Sequence, residues 1–194
     1  MVVQAPLIGY VAAGGRSTRM GRDKALLPWE GATLLDHAIA RLARVAADVR
    51  ILCGPTPRYE DRGRPLVLDA PADGPLAGLA AALADADGAD ALLLGVDLPL
   101  VTVDLLAALA GAGADADAVV PAGPHGPEPL CALYRAACRG PVERRLAAGD
   151  LKMTSFWPDV RVRVLEGGAL AALGDPERLF ANVNAPEDYR RVAP

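Results

Sequence analysis

The sequence predicts an α/β protein in which a single domain over residues 1–194 holds a mostly parallel sheet flanked by helices. Three observations lead to this prediction. A length of 194 residues fits one domain with a sizeable core. A composition of 52% hydrophobic and 23% charged residues is typical of a globular chain. Short apolar runs alternate with helical segments through the first half, which is typical of βαβ units in a Rossmann-like sheet.

Each predicted element follows from its hydrophobic pattern. Short apolar runs bounded by glycine, proline or aspartate predict strands at 6–13, 49–53, 66–68, 91–96, 118–121, 129–134 and 160–165. The last of these alternates valine and arginine, which predicts one polar face. Helical spacing predicts helices at 33–47, 76–84, 102–110, up to about 148, and from 186. Thr33 and Asp36 have the spacing of a capping box at the start of the first helix.

Charge and composition exclude several classes of protein. The net charge is −4 and there is no run of Lys or Arg, so nucleic acid is not an expected partner. We find neither a signal peptide nor an apolar stretch of about 18 residues, so we expect no membrane span. The three cysteines, Cys53, Cys131 and Cys138, form no C-x-x-C pair, which indicates a reducing cytoplasm and neither zinc nor disulfides.

A glycine and arginine loop follows the first strand. Gly14 and Gly15 allow backbone N–H groups to converge on an anion without a Cβ in the way. Four cations then follow: Arg16, Arg19, Arg22 and Lys24. Arginine binds phosphate oxygens bidentately and lysine adds a point charge, so the loop is a candidate triphosphate site. It is not a Walker A element, because Gly21 is followed by Arg22. The alternative is a surface turn with solvated charges.

Two aspartates lie at the ends of predicted strands, where α/β proteins bind ligands. Asp97 closes the most hydrophobic strand, and a carboxylate at that depth needs a partner or a metal ion. Mg²⁺ prefers one or two carboxylates together with substrate phosphates and water. Turn or capping roles before Pro99 and Pro71 are the alternatives for Asp97 and Asp69, and Asp73 could act in place of Asp69.

These motifs resemble those of the molybdenum cofactor guanylyltransferases and related MobA-like nucleotidyltransferases. The loop is similar to the family pattern L-A-G-G-x-x-x-R-M-G-x-D-K, with Ala12 in place of leucine. The similarity continues, in the same order, along almost the whole chain. The matching segments are Gly74-Pro75-Leu76-Ala77-Gly78, Asp97-Leu98-Pro99, Glu128-Pro129-Leu130 and Asn182-Val183-Asn184-Ala185-Pro186-Glu187-Asp188.

The resemblance implies a fold of the nucleotide-diphospho-sugar transferase type and a Mg²⁺-dependent transfer of GMP from GTP to the terminal phosphate of Mo-molybdopterin, releasing pyrophosphate. It implies that Asp97 holds the metal ion. The catalytic residues that it implies are Arg19, Lys24 and Asp97. The nucleotide-binding residues that it implies are Ala12, Ala13, Gly14, Gly15, Lys24, Asp69, Gly74, Gly78 and Asp97.

The resemblance places Asn182 and Asn184 on the acceptor side. Alternate residues of an extended strand point the same way, so both amides would face one side. A turn or N-cap role before the helix from Pro186 is the alternative for Asn184. One departure concerns Cys53, which occupies the position where the family often has an asparagine that contacts the nucleotide, and it leaves the base preference open.

Three functional hypotheses follow. The first uses GTP and molybdopterin as small-molecule substrates, with transient contact to molybdoenzymes or other cofactor-biosynthesis proteins. The second is a related nucleotidyltransferase that uses CTP, or a sugar or polyol phosphate as acceptor. The third is a non-catalytic nucleotide-binding regulatory protein, against which Asp97 and Lys24 argue, because binding alone does not require a metal site.

Overall fold

A computed structural model describes residues 6–15, 23–69 and 74–192. Its strands are β1 (Leu7–Ala12), β2 (Pro28–Trp29), β3 (Ala32–Thr33), β4 (Asp48–Leu52), β5 (Leu66–Val67), β6 (Asp90–Gly95), β7 (Ala118–Gly123), β8 (Gly126–Pro127), β9 (Cys131–Tyr134) and β10 (Val162–Leu165). Its helices are α1 (Leu34–Leu42), α2 (Pro75–Ala86), α3 (Val103–Ala110), α4 (Arg139–Ala147), α5 (Gly167–Ala171), α6 (Pro176–Leu179) and α7 (Pro186–Val192). Short 3₁₀ turns join several of them.

The central sheet has the strand order β10-β7-β9-β6-β1-β4-β5, and β8 pairs with β7 outside this path. The pairs β1–β4, β1–β6, β4–β5 and β7–β10 are parallel, whereas β9 is antiparallel to both of its neighbours. The prediction of a mostly parallel sheet is therefore confirmed. The carboxyl ends of β1, β4, β5 and β6 meet at one edge of the sheet, so the residues that follow these strands lie close together.

Helices cover both faces of the sheet. Neighbouring residues of β1 point to opposite sides, so that Val11 packs with α1 and α3 while Tyr10 packs with α2 and α4. Both side chains are fully buried. Burial on both faces explains why β1 and β6 are almost continuously apolar rather than alternating.

A smaller apolar cluster joins the β2–β3 hairpin to the C-terminal segment. Trp29 packs with Leu27, Leu34 and the fully buried Val183, and the ring of Tyr189 contacts Trp29 edge-on at 6.3 Å between centroids. This contact draws residues 182–189 back against the first third of the chain.

The predicted elements are found with altered ends. Helix α1 begins at the predicted capping box, in which Thr33 and Asp36 exchange hydrogen bonds, but it ends at Leu42 and residues 43–45 form a turn. The prediction of one polar face for the last strand is wrong in part. Both Arg163 and Val164 are exposed, because β10 is the outermost strand of the sheet next to β7. No helix within the described ranges is long and apolar enough to cross a membrane.

Candidate active site

Lys24, Asp97 and Asn184 meet at the carboxyl edge of the sheet. The Lys24 Nζ lies 3.3 Å from Oδ2 of Asp97 and 3.2 Å from Oδ1 of Asn184, to both of which it donates hydrogen bonds. The side chains of Lys24 and Asp97 are 16% and 18% exposed, so their charges are only partly screened by water. These three residues, widely separated in sequence, form one polar cluster.

Local structure positions each member of this cluster. Asp23 Oδ1 accepts a hydrogen bond from Ala25 N and caps the 3₁₀ turn Lys24–Leu26, which presents the lysine. Asp97 lies in the turn after β6, separated from the end of the strand by Val96, and its carbonyl accepts a hydrogen bond from Val183 N at 2.9 Å. The buried Val183 thereby fixes the asparagines on either side of it next to Asp97.

A second part of the site is lined by glycines. A Cβ on Gly14 would lie 2.9 Å from Gly54 N and 3.0 Å from Oδ2 of Asp69, so only glycine allows the loops after β1, β4 and β5 to approach this closely. A Cβ on Gly78, in the first turns of α2, would lie 3.8 Å from both carboxylate oxygens of Asp69. Asp69 therefore lies between the glycine loop and α2.

The carboxylate of Asp69 lacks a full set of partners. Its Oδ1 is buried and accepts no hydrogen bond from any residue that the structure describes. Burial raises the pKa of Asp69, and the positive charge of Arg58 opposes that rise. A buried carboxylate oxygen without a donor is costly for the fold, which makes Asp69 a candidate acceptor for a ligand's hydrogen bond.

Arg58 and Tyr59 were missed by the sequence analysis, because the loop after β4 carries no recognisable motif. The guanidinium of Arg58 donates to Cys53 O at 3.0 and 3.1 Å, to Ala13 O at 3.2 Å and to Oδ2 of Asp23 at 3.4 Å. Tyr59 Oη donates to the same Asp23 oxygen at 2.7 Å. Both side chains therefore connect the ends of β1 and β4 to the turn that holds Lys24.

Glu128 is a second carboxylate near Asp97. Burial, followed by the negative charge of Asp97, raises the pKa of Glu128 to about 7. The segment is held by a 2.7 Å hydrogen bond from Gly95 N to Leu130 O. The sequence signal was the Glu128-Pro129-Leu130 match, which pointed to this segment without giving the carboxylate a role.

The remaining predicted site residues occupy the same edge or lie outside the described chain. Ala12 is the last residue of β1, and the buried Ala13 donates its N–H to Leu52 O. Gly15 has open space on its Cβ side, and Gly74 is the N-cap residue of α2. Asn182 is half-buried beside Val183. Arg19 and Asp73 fall outside the described residues.

Cys53 does not face the site. Its thiol is fully buried and donates to Val67 O at 3.6 Å, so the structure assigns the position beside Gly14 to Gly54 instead. Within the described part of the chain, no group of three or more His, Cys, Asp or Glu side chains is placed to hold a metal ion. A metal ion here would thus depend on one or two carboxylates together with ligand oxygens.

Solved structures of other proteins give the fold class. A solved structure of molybdopterin-guanine dinucleotide biosynthesis protein A from Archaeoglobus fulgidus superposes with a TM-score of 0.80 at 24% identity, covering 96% of each chain. CMP:2-keto-3-deoxy-manno-octonic acid synthetase, solved in complex with CTP, shares the fold with a TM-score of 0.72 at 12% identity, covering 98% of this chain and 97% of that one. The protein has the nucleotide-diphospho-sugar transferase fold, as predicted.

Sequence comparison gives the family. The MobA-like NTP transferase domain matches residues 9–159. A probable molybdenum cofactor guanylyltransferase from Deinococcus radiodurans is 38% identical, covering 97% of this chain and 94% of its own. A molybdenum cofactor guanylyltransferase from Cereibacter sphaeroides is 37% identical, covering 96% and 95%. The chain therefore belongs to the MobA-like NTP transferase family, and it is a nucleotidyltransferase.

Proposed function

We propose that this nucleotidyltransferase transfers GMP from GTP to the terminal phosphate of Mo-molybdopterin, giving the guanine dinucleotide form of the cofactor and pyrophosphate. The observation that carries the proposal is the arrangement of two features at opposite parts of the same sheet edge. One is Asp69, whose buried Oδ1 has no hydrogen-bond partner among the described residues, and the other is the ion pair of Lys24 with Asp97. The relatives named as guanylyltransferases support the choice of substrates.

Asp69 would recognise the guanine base by accepting hydrogen bonds from it. Guanine presents two adjacent donors, N1–H and the N2 amine, and an ionised carboxylate is an acceptor-only group that matches both. Adenine and cytosine each present a ring nitrogen acceptor at the corresponding edge, which would face the carboxylate oxygen. A polar site built for donors rejects a ligand that lacks them, because its buried acceptors then stay unpaired. Gly74 and Gly78 would leave room for the base against the backbone.

Lys24 and the glycine loop would hold the triphosphate. Gly14 and Gly15 follow the end of β1 at Ala12 after one residue, Ala13, whose N–H donates to Leu52 O, and their backbone amides would donate to the phosphates. Lys24 would exchange part of its contact with Asp97 for phosphate oxygens. Arg19, from the same loop, is proposed to add a second cation.

The donor set at Asp97 fits a magnesium ion. Asp97 and Glu128 are two half-buried carboxylates; burial first, and the negative charge of Asp97 second, raise the pKa of Glu128, and a divalent cation would favour the ionised form of both. Asp97 would be the direct ligand. A magnesium ion held there would supply positive charge that offsets the negative charge of the substrate phosphates.

The transfer itself needs positioning rather than a general base. A phosphate monoester has its second pKa near ~6, so the acceptor is already largely a dianion at neutral pH. One of its oxygens forms a bond to the α-phosphorus, while the bond from that phosphorus to the oxygen bridging to the β-phosphate breaks in line. Asn182 and Asn184 would hold the acceptor, because neutral amides both donate and accept without adding negative charge beside the phosphates.

The test is pyrophosphate release with Mg²⁺, molybdopterin and each of the four NTPs in turn. GTP is expected to give the highest turnover, with Asp69→Asn as the variant that reduces the preference for it. Faster turnover of CTP would indicate the cytidylyltransferase alternative. Pyrophosphate release with a sugar or polyol phosphate, and none with molybdopterin, would indicate a different acceptor class. Nucleotide binding without pyrophosphate release under every condition would contradict catalysis.

A further inference from the structure

The loop after β4 connects the two halves of the nucleotide site through one side chain. Arg58 is one-third exposed, and its guanidinium donates to three different acceptors rather than extending into solvent. Two of them, Ala13 O and Cys53 O, are backbone carbonyls at the ends of β1 and β4. The third is Asp23, which caps the turn of Lys24. A fork of fixed geometry is required to reach all three.

The base side of the site depends on the first two of these acceptors. The carbonyls of Ala13 and Cys53 belong to the residues immediately before Gly14 and Gly54, whose backbones touch each other and Asp69. A Cβ on Gly54 would lie 3.6 Å from Nη2 of Arg58, so the guanidinium lies against this contact. Asp69 N in turn donates to Gly54 O at 3.1 Å. Arg58 therefore fixes the contact between Gly14 and Gly54 against which Asp69 packs.

The phosphate side depends on the third acceptor. The same Oδ2 of Asp23 receives Tyr59 Oη at 2.7 Å and Arg58 at 3.4 Å, while its Oδ1 caps Ala25 N. The guanidinium also stacks over the Tyr59 ring at 5.1 Å. Asp23 is thereby held from two directions, and the orientation of Lys24 follows from it.

We propose that Arg58 is a positioning residue that couples base recognition to phosphate binding. It holds Asp69 and the 3₁₀ turn that begins at Lys24 in one relative geometry. The inference rests on the proposed function, since it takes Asp69 as the base reader and Lys24 as a phosphate ligand. Arg58 itself touches neither the base nor the phosphates in this assignment. Its loss separates the two halves of the site rather than removing a contact to either.

Two partial ligands test the coupling in the presence of Mg²⁺. GMP carries the base without the β- and γ-phosphates, and pyrophosphate carries phosphates without a base. Arg58→Met is expected to weaken binding of both by about tenfold and to raise the KM for GTP more than it lowers kcat, since geometry rather than a transition-state contact is lost. Tyr59→Phe is the matched control: Tyr59 Oη donates to Asp23 at 2.7 Å and makes only a longer contact of 3.4 Å with Ala13 O, so its loss is expected to weaken pyrophosphate binding more than GMP binding. Asp69→Asn weakens GMP binding alone.

The conservative variant Arg58→Lys distinguishes geometry from charge. Lysine keeps the positive charge but cannot reach three acceptors at once, so it is expected to restore less than half of the lost affinity on a logarithmic scale. Full restoration by lysine, or loss of only one of the two partial ligands in Arg58→Met, overturns the proposal. If the methionine variant does not fold, the lysine variant alone decides by the same two affinities.

Failure of the proposed function gives a different result. In that case GMP binding to the wild-type protein would be insensitive to Asp69→Asn, whatever the Arg58 variants do. Asp69-dependent GMP binding with unaltered affinities in both Arg58 variants overturns only the coupling.

Discussion

Replacing Asp97 by asparagine removes one negative charge and almost no volume, which makes it the sharpest test of the metal site. The substitution leaves an amide oxygen that still accepts from Lys24. It removes the ionised oxygens that a hard cation requires. We expect turnover to fall by about 100-fold or more, as for the loss of a group that orients a catalytic metal ion, with the Kd for Mn²⁺ raised in parallel.

The cost to folding is expected to be small. At 3.3 Å, the Lys24–Asp97 attraction amounts to ~5 kcal/mol at an effective dielectric constant of about 20. Three effects offset most of this attraction: an amide costs less to bury than a carboxylate, the repulsion with Glu128 is relieved, and the hydrogen bond with Lys24 is retained. The net loss in the free energy of unfolding is therefore about 1 kcal/mol. For a chain of 194 residues this lowers Tm by about 2–4 °C.

The assay combines pyrophosphate release, Mn²⁺ titration and thermal unfolding on the same preparations. Asp104→Asn is the matched control, because Asp104 is exposed in the first turn of α3 and undergoes the same chemical change away from the site. It should leave turnover unchanged. An Asp97→Asn variant that turns over within about fivefold of the wild type, or that binds Mn²⁺ equally well, would refute the assignment.

Three further outcomes are expected. Asp69→Asn should lower GTP affinity by about 10–150-fold, the value of hydrogen bonds to a charged acceptor. Because burial raises the pKa of Asp69, acidification should lower the affinity of the wild type more steeply than that of the variant, and the same slope in both would contradict this. The pKa of Glu128 is raised to about 7, so the metal-free protein loses stability as pH rises through that value. The Tm of Glu128→Gln should exceed that of the wild type at about pH 8 and not at about pH 5. A difference in Tm that is the same at both pH values would count against this. Asn182→Ala should raise the acceptor KM by about 5–10-fold and leave GTP binding unchanged, whereas the reverse pattern would move Asn182 to the nucleotide side.

Much of the fold could be predicted because buried parallel strands have a strong signal. The apolar runs at β1 and β6 end in the glycines and the aspartate that line the site, and the capping box marks the start of α1. The β2–β3 hairpin was missed, since two-residue strands are too short to show a period. Its turn is formed by Glu30 and Gly31, both with positive φ, and its stability comes from the packing of Trp29 on a distant segment.

The site residues that belong to sequence motifs could be predicted, and those placed only by tertiary packing were missed. Asn184 was open to an N-cap interpretation, but Asp188 accepts the backbone N–H groups of residues 184 and 185, which frees the Asn184 amide to contact Lys24. Arg58 has no local signal, because its acceptors are carbonyls about 5 and 45 residues away that come together only in the folded sheet.

The contact between Lys24 and Asn184 spans 160 residues, and this separation has a consequence for biosynthesis. During translation the glycine loop leaves the ribosome long before the segment that places Val183 beside Asp97. Closing so long a loop is entropically unfavourable until the intervening sheet has formed. A nascent chain can therefore assemble β1 to β6 and bury Asp69 before Asn184 reaches Lys24, so the two parts of the candidate site form at different stages of synthesis.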